Sequence, residues 1–362
     1  MLKQSLLALL MVFCISSIGC GKSEGTTPTP AKPSEGGLIT KRPGSIGIIG
    51  DTANVVKPVS GGMVLMGGGA DVEAAFKWMI ARSGGGDVVI LRATGTDAYN
   101  PFINALGAVN SVETLLINSR ELANDDGVAY IIRNAEMVFI AGGDQSDYMK
   151  YWKGTKTEQA LNYLLKDKKA PVGGTSAGCA ILGGFYYSGE TGGVTSAQAL
   201  ANPYDANITL YNNDFLKAPY LQNVITDQHY LTRDREGRSL VFLGRINKDF
   251  KTPAKCIAAD ERTAVCIDAD GKAKVFGDYS ATRAYSYAYF IVPDVAKQPE
   301  LFETNQKVNW NNGEKAVSVY EIPASVDGGG NFNVANFKAS EATGGKWYWW
   351  WIDNGVLSKK DQ

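Results

Sequence analysis

Gly174-Thr175-Ser176-Ala177-Gly178 is a G-x-S-x-G pentapeptide that follows the apolar Pro171-Val172-Gly173 and precedes a helical run from Ala177 to Leu182. Small residues around a serine at a strand-to-helix turn leave its hydroxyl exposed, because bulky neighbours would clash with strand and helix. Backbone N–H groups at the start of the following helix would favour negative charge developing there. A serine hydroxyl is a poor nucleophile near neutral pH and needs a base within hydrogen-bond reach. The chain has one histidine, His229, so a Ser–His pair is His229 with Ser176 or does not exist. His229 closes Asp227-Gln228-His229 after the apolar Val224-Ile225, a second strand-end context. Arg233, Arg235 and Arg238 follow within six positions. Arg235 and Arg238 share a face if a helix begins near Asp234, with Arg233 in the loop before it. Guanidinium groups so placed suit bidentate capture of carboxylates. The plainer alternative is a solvated helix start neutralised by Asp234 and Glu236.

Short apolar runs separated by helical patterns must position these groups. Met63 to Met66, Val88 to Leu91, Val112 to Ile117 and Glu136 to Ala141 read as strands; Val72 to Ile80 and Glu158 to Leu165 read as helices. Strands this short and apolar on both faces belong to a covered parallel sheet, which makes the class α/β with helices on both sides. Sites in such sheets form at the carboxyl ends of strands. Three glycine-rich turns fall there: Gly67-Gly68-Gly69, Gly142-Gly143-Asp144-Gln145 and Gly173 to Gly178. The first lacks the third glycine of a dinucleotide fingerprint, and no Gly-Lys-Ser/Thr follows any of them, which argues against nucleotide binding.

The 362 residues carry 36 basic and 37 acidic side chains, a net charge of −1 that disfavours a general nucleic-acid binder. A single histidine excludes a metal site built mainly from imidazoles. Residues 1–20 combine Lys3, an apolar run from Leu6 to Phe13 and small residues ending in Gly19-Cys20, the pattern of an export signal too short to span a bilayer. This segment resembles a bacterial lipoprotein signal, which implies lipidation at Cys20; Ser17 stands where the usual motif has leucine. Residues 21–45 are rich in Pro, Thr, Ser and Gly and read as a flexible tether. The expected product is an exported globular domain, lipid-anchored to a bacterial membrane on its periplasmic or cell-surface side. Cys179, Cys256 and Cys266 fit neither a disulfide framework nor a zinc pattern; they are buried small hydrophobes, or Cys256 pairs with Cys266.

The set Gly142 to Gln145, Gly174 to Gly178, Asp227-Gln228-His229 with Arg233, Arg235 and Arg238, and Ala259-Asp260-Glu261-Arg262-Thr263-Ala264 resembles cyanophycinases. More broadly it is similar to the peptidase E group of serine exopeptidases. The resemblance runs from about Gly61 to about Gly277 with the motifs in family order. It implies a flavodoxin-like, glutamine-amidotransferase-like sandwich with a mostly parallel sheet over residues 46–292, followed by a C-terminal extension over 293–362. It further implies Ser176 as nucleophile, His229 as general base and Glu261 as the acid that orients it, with Asp260 as rival. Gln145, Asp227, Gln228, Arg233, Arg235 and Arg238 would line a pocket for an acidic, β-aspartyl peptide, cyanophycin being the named example. The N–H groups of Ala177 and Gly143 are the oxyanion-hole candidates. No metal or organic cofactor is needed, no nucleic acid is involved, and the family's habit suggests a homodimer.

Two segments depart from the family pattern. Val194 to Leu221 is long, polar and aromatic and is expected to rim the pocket. Trp347-Tyr348-Trp349-Trp350-Trp351 reads as a packed terminal strand, the alternative being a stacking platform for carbohydrate. Two other function classes compete with a serine peptidase of cyanophycinase or aspartyl-dipeptidase type. One is a non-catalytic surface lipoprotein that binds acidic peptides. The other is a cysteine-dependent glutaminase, disfavoured because serine occupies the elbow and Cys179 lies in the helix after it.

Overall fold

The computed structural model describes residues 41–277 and 286–362. The expected signal, Cys20 and nearly all of the tether lie outside the described residues.

The first part of the chain alternates strand and helix as the apolar runs require. In order come β1 (Ser45–Gly50), β2 (Gly62–Met66), α1 (Glu73–Arg82), β3 (Asp87–Arg92), α2 (Tyr99–Leu106) and β4 (Ser111–Leu116). Next are α3 (Arg120–Ala123), α4 (Asp126–Asn134), β5 (Met137–Ile140), α5 (Gln145–Trp152), α6 (Lys156–Tyr163), β6 (Val172–Thr175) and α7 (Ala177–Ala180). There follow β7 (Phe185–Tyr187), α8 (Ser196–Ala201), β8 (Leu210–Asn212), β9 (Val224–Asp227), α9 (Glu236–Phe250), β10 (Lys255–Ala259) and β11 (Thr263–Asp268). Strands then dominate: β12 (Lys272–Gly277), β13 (Tyr287–Pro293), β14 (Val317–Pro323), β15 (Gly329–Asn333), β16 (Lys346–Asp353) and β17 (Val356–Asp361).

A parallel core ordered β4-β3-β5-β6-β2 forms the centre of a nine-stranded sheet. Antiparallel β1 extends it at one edge and β11, β12 and β15 at the other. Successive side chains of a strand point to opposite faces. Val64, Met66, Val88, Ile90 and Phe139 therefore pack with Phe76, Met79 and Ile103 of α1 and α2. Met63, Leu65, Val89, Leu91 and Ile140 pack on the other face with Ile132, Trp152 and Leu161 of α4, α5 and α6. Both faces of the core are covered, as its mostly apolar strands demand.

The rest differs from one continuous sheet. A second, eight-stranded sheet runs β17-β16-β14-β13-β10-β9-β7-β8, and only β10, β9 and β7 within it are parallel. The strand β9 that leads to His229 thus belongs to a different sheet from β6, which leads to Ser176. The C-terminal extension adds strands to both sheets, β14, β16 and β17 to the second and β15 to the first. The aromatic run is a packed strand: Trp350 is 1% exposed in the second core, which it shares with Tyr289 and Ile352. Cys256 and Cys266 lie in different sheets, and all three described cysteines are free and buried. No helix among the described residues is long and apolar enough to cross a membrane.

Candidate active site

Ser176 sits directly after β6 with φ 52° and ψ −118°, a conformation costing a non-glycine residue about 1–3 kcal/mol. The surrounding glycines make the turn possible. A Cβ on Gly174 would lie 2.5 Å from the Gly178 carbonyl carbon, and one on Gly178 would lie 2.2 Å from the Ile140 oxygen. The Ser176 N–H donates to Met66 O at 3.1 Å, which pins the elbow to β2. The following helix α7 has only four residues, so the expected macrodipole contribution shrinks to its free N–H groups.

His229 follows β9, also at positive φ (48°), and its N–H donates to Gly67 O at 2.8 Å. Its Nε2 lies 2.8 Å from Ser176 Oγ, and its Nδ1 lies 2.6 Å from Glu261 Oε1. A carboxylate accepts but cannot donate, so Nδ1 carries the proton and Nε2 is left to accept from the serine hydroxyl. Burial lowers the His229 pKa below 6.5; the Glu261 hydrogen bond opposes this, while Arg233 and Arg235 add to it. The imidazole is accordingly neutral at pH 7, the state a general base requires.

Glu261 occupies the turn between β10 of the second sheet and β11 of the first. Serine, histidine and glutamate therefore meet where the two sheets join. The rival Asp260 is fully buried and turned elsewhere, accepting from the Thr232 N–H at 3.1 Å and the Thr232 hydroxyl at 2.8 Å. Cys179 is buried, and burial pushes its thiol far above the usual range, which removes the cysteine alternative.

The sequence offered no role for Gly67-Gly68-Gly69 once nucleotide binding was set aside. In the fold this turn ties the site together: Met66, Gly67 and Gly68 carbonyls accept from Ser176, His229 and Arg262 in succession. A Cβ on Gly68 would lie 2.4 Å from His229 Cε1, so the imidazole occupies the space a side chain would take. The legible signal was three glycines at a strand's carboxyl end, which mark a close approach as well as a phosphate loop.

The Tyr148 hydroxyl, also missed, donates to Ala141 O at 2.8 Å and Gly142 O at 3.2 Å. It holds the Gly142-Gly143 peptides beside Ser176, and a Cβ on Gly142 would sit 3.4 Å from Ser176 Cβ. Gly143 N–H makes no hydrogen bond among the described residues, and Ala177 N–H, as the first of α7, has no intrahelical acceptor.

The expected carboxylate clamps divide. Arg238 and Asp227 are 4% and 2% exposed and bind each other, Nε to Oδ2 at 3.0 Å and Nη2 to Oδ1 at 2.6 Å. Burial works to raise the Asp227 pKa, but Arg238, Arg235 and the Ser239 hydroxyl outweigh it and hold the carboxyl below its ordinary value. Both side chains are thus buried and paired with each other. Arg235, at the N-cap of α9, donates from Nη1 to Gln228 O at 2.8 Å and stays half-buried. Arg233 is exposed and makes no ion pair among the described residues. Gln228 is buried, with its Oε1 unpartnered among the described residues. Gln145 begins α5 and lies against Gly189, where a Cβ would fall 3.0 Å from its Nε2. The loop around Gly189 therefore approaches the site, whereas α8, within the expected rim, lies on the start of α9, with Ser196 Oγ bound to Asp234 O and the Arg238 N–H.

The chain is 27% identical over 258 residues to a cyanophycinase of Synechococcus elongatus, covering 67% of this chain and 74% of the relative. It is 24% identical over 231 residues to a cyanophycinase of Geminocystis herdmanii, covering 60% and 79%. Among solved structures, a peptidase from an acI-B1 actinobacterium aligns at TM-score 0.43 and 18% identity, covering 61% of this chain and 89% of that one. The profile of Peptidase family S51 matches residues 95–275, half of the chain. The chain belongs to peptidase family S51 and is a serine peptidase.

Proposed function

We propose that this peptidase is an exopeptidase that hydrolyses β-aspartyl amide bonds, such as the β-Asp-Arg units of cyanophycin, through Ser176, His229 and Glu261. The observation that carries the proposal is the continuous relay from Ser176 Oγ to His229 Nε2 at 2.8 Å and from His229 Nδ1 to Glu261 at 2.6 Å. His229 takes the serine proton as Oγ attacks the carbonyl carbon, and Glu261 stabilises the imidazolium that forms. The carbonyl oxygen becomes an oxyanion facing the N–H groups of Ala177 and Gly143. His229 then protonates the leaving amine, and water activated by the same imidazole resolves the acyl-enzyme. Arg233 and Arg235 supply positive charge next to the base, which suits the free carboxylates of an aspartyl substrate. An aspartyl dipeptidase would use the same steps, and a panel of α- and β-linked aspartyl dipeptides with cyanophycin separates the two.

The test is Ser176→Ala against wild type on that panel, with fluorophosphonate labelling alongside. Turnover should fall by about 10⁴ or more, and labelling should vanish. Retained labelling in Ser176→Ala would refute the assignment, and a chain that binds acidic peptides without hydrolysing any would favour the binding-protein alternative. From the sequence alone we also infer export and lipid anchoring at Cys20. Loss of detergent-phase partitioning in Cys20→Ser is the expected result, and unchanged partitioning overturns it.

A further inference from the structure

The family match ends at residue 275, yet the strands beyond it reach back to the loop that carries His229. That loop is closed by its own backbone, Arg233 N–H to His229 O at 3.0 Å and Arg235 N–H to Tyr230 O at 2.9 Å, and α9 starts immediately after it. Tyr230, next to His229, is completely buried, and its ring lies 5.0 Å from Tyr289 of β13. Tyr289 lies 6.0 Å from Trp350 of β16, and Lys359 Nζ of β17 sits 4.6 Å over the Trp350 ring. The same ammonium pairs with the carboxylate of Glu236, the first residue of α9. The contacts form a closed circuit from the base loop through three buried rings to the last strand and back to the helix that ends the loop.

We propose that β16 and β17 belong to the catalytic apparatus, with Trp350 and Lys359 as positioning residues for His229. The backbone at His229 holds a positive φ, a conformation that persists where the surrounding structure over-determines it. Gly67 restrains it from one side, through the His229 N–H. The aromatic circuit supports it from the other. Lys359 locks the circuit, because its ion pair joins the outermost strand to the helix start while its stem and charge cover Trp350. A loosened circuit lets the loop drift, and a displacement of about 1 Å at a reacting group can cost about 100-fold in rate. The inference rests on the serine chemistry proposed above.

The experiment compares full-length wild type, Lys359→Met, Lys359→Arg and Trp350→Phe. Lys360→Met serves as a control on the same strand, since Lys360 pairs instead with Glu314. Each is measured for the rate of fluorophosphonate labelling at Ser176, for kcat and KM on the best substrate of the panel, and for Tm. Lys359→Met, assayed well below its Tm, should label about ten-fold more slowly, with kcat reduced and KM unchanged; its Tm should fall below that of Lys360→Met, because the buried Glu236 loses its partner. Lys359→Arg should restore labelling to within about two-fold of wild type, and Trp350→Phe should fall between the two. Labelling of Lys359→Met within about two-fold of wild type overturns the proposal, as does an equal loss in Lys360→Met. Failure of the wild type itself to label strikes at the serine assignment first, a different result from a labelled wild type indifferent to its tail.

Discussion

Gly68→Ala tests whether the first glycine turn fixes the base. Gly68 adopts φ +100°, and an added Cβ would lie 2.4 Å from His229 Cε1 and 2.5 Å from Nε2. The turn cannot retreat easily, because Gly68 O accepts from the Arg262 N–H at 2.9 Å and the neighbouring Gly67 O accepts from His229. Restoring an ordinary contact of 3.4 Å to the imidazole requires a movement of about 1 Å. The 2.8 Å contact from Nε2 to Ser176 Oγ does not survive such a shift. The expected loss in kcat is about 10²-fold from misplacement alone, rising toward 10⁴ if the base is disengaged altogether. Backbone strain adds about 1–3 kcal/mol of destabilisation, which leaves the fold intact in a domain of ordinary stability. Gly193→Ala is the matched control, since a Cβ there meets nothing within 4 Å. Fluorophosphonate labelling rates and circular dichroism melts of both variants decide the matter. A folded Gly68→Ala protein that labels at more than half the wild-type rate would refute the reasoning.

Further outcomes follow from the same geometry. Glu261→Gln should lower kcat by about 10³–10⁴ with little change in KM, because the amide can hold the wrong imidazole tautomer, whereas Asp260→Asn should disturb Tm more than rate; steady-state kinetics with melting curves check both. Activity needs neutral His229, whose pKa is lowered by burial and by the Arg233 and Arg235 charges, so the acidic limb of the wild-type labelling profile should lie below pH 6.5. Arg233→Met removes one depressing charge and should move that limb to higher pH, by less at high salt because Arg233 is exposed; an unmoved limb counts against the coupling. Arg238→Met should cost about 3–5 kcal/mol of stability by stranding the buried Asp227 carboxylate, read as a fall in the denaturant midpoint, and a variant as stable as wild type would return Arg238 to the surface.

Local pattern made much of this protein legible. Apolar runs of four to six residues marked most strands of the parallel core, because a strand covered on both faces is mostly apolar, though β4 carries the buried Glu113 and Thr114. Ser176 was recognisable since only small residues can flank so sharp a turn, and the composition named its imidazole partner, there being a single histidine. Assignments that needed two distant pieces of chain to meet were beyond such patterns. Asp260 and Glu261 are neighbours with the same charge, and the crossover between sheets alone turned one toward the imidazole and the other toward Thr232. Arg238 looked free to bind substrate until β9 brought Asp227 against it. Gly67-Gly68-Gly69 matched no fingerprint because its purpose is steric, and a space reserved for a histidine some 160 positions away leaves no local trace. Periodicity and residue size act over a few neighbours and so are written along the chain; hydrogen bonds and ion pairs between remote segments exist only once the sheets have closed around them.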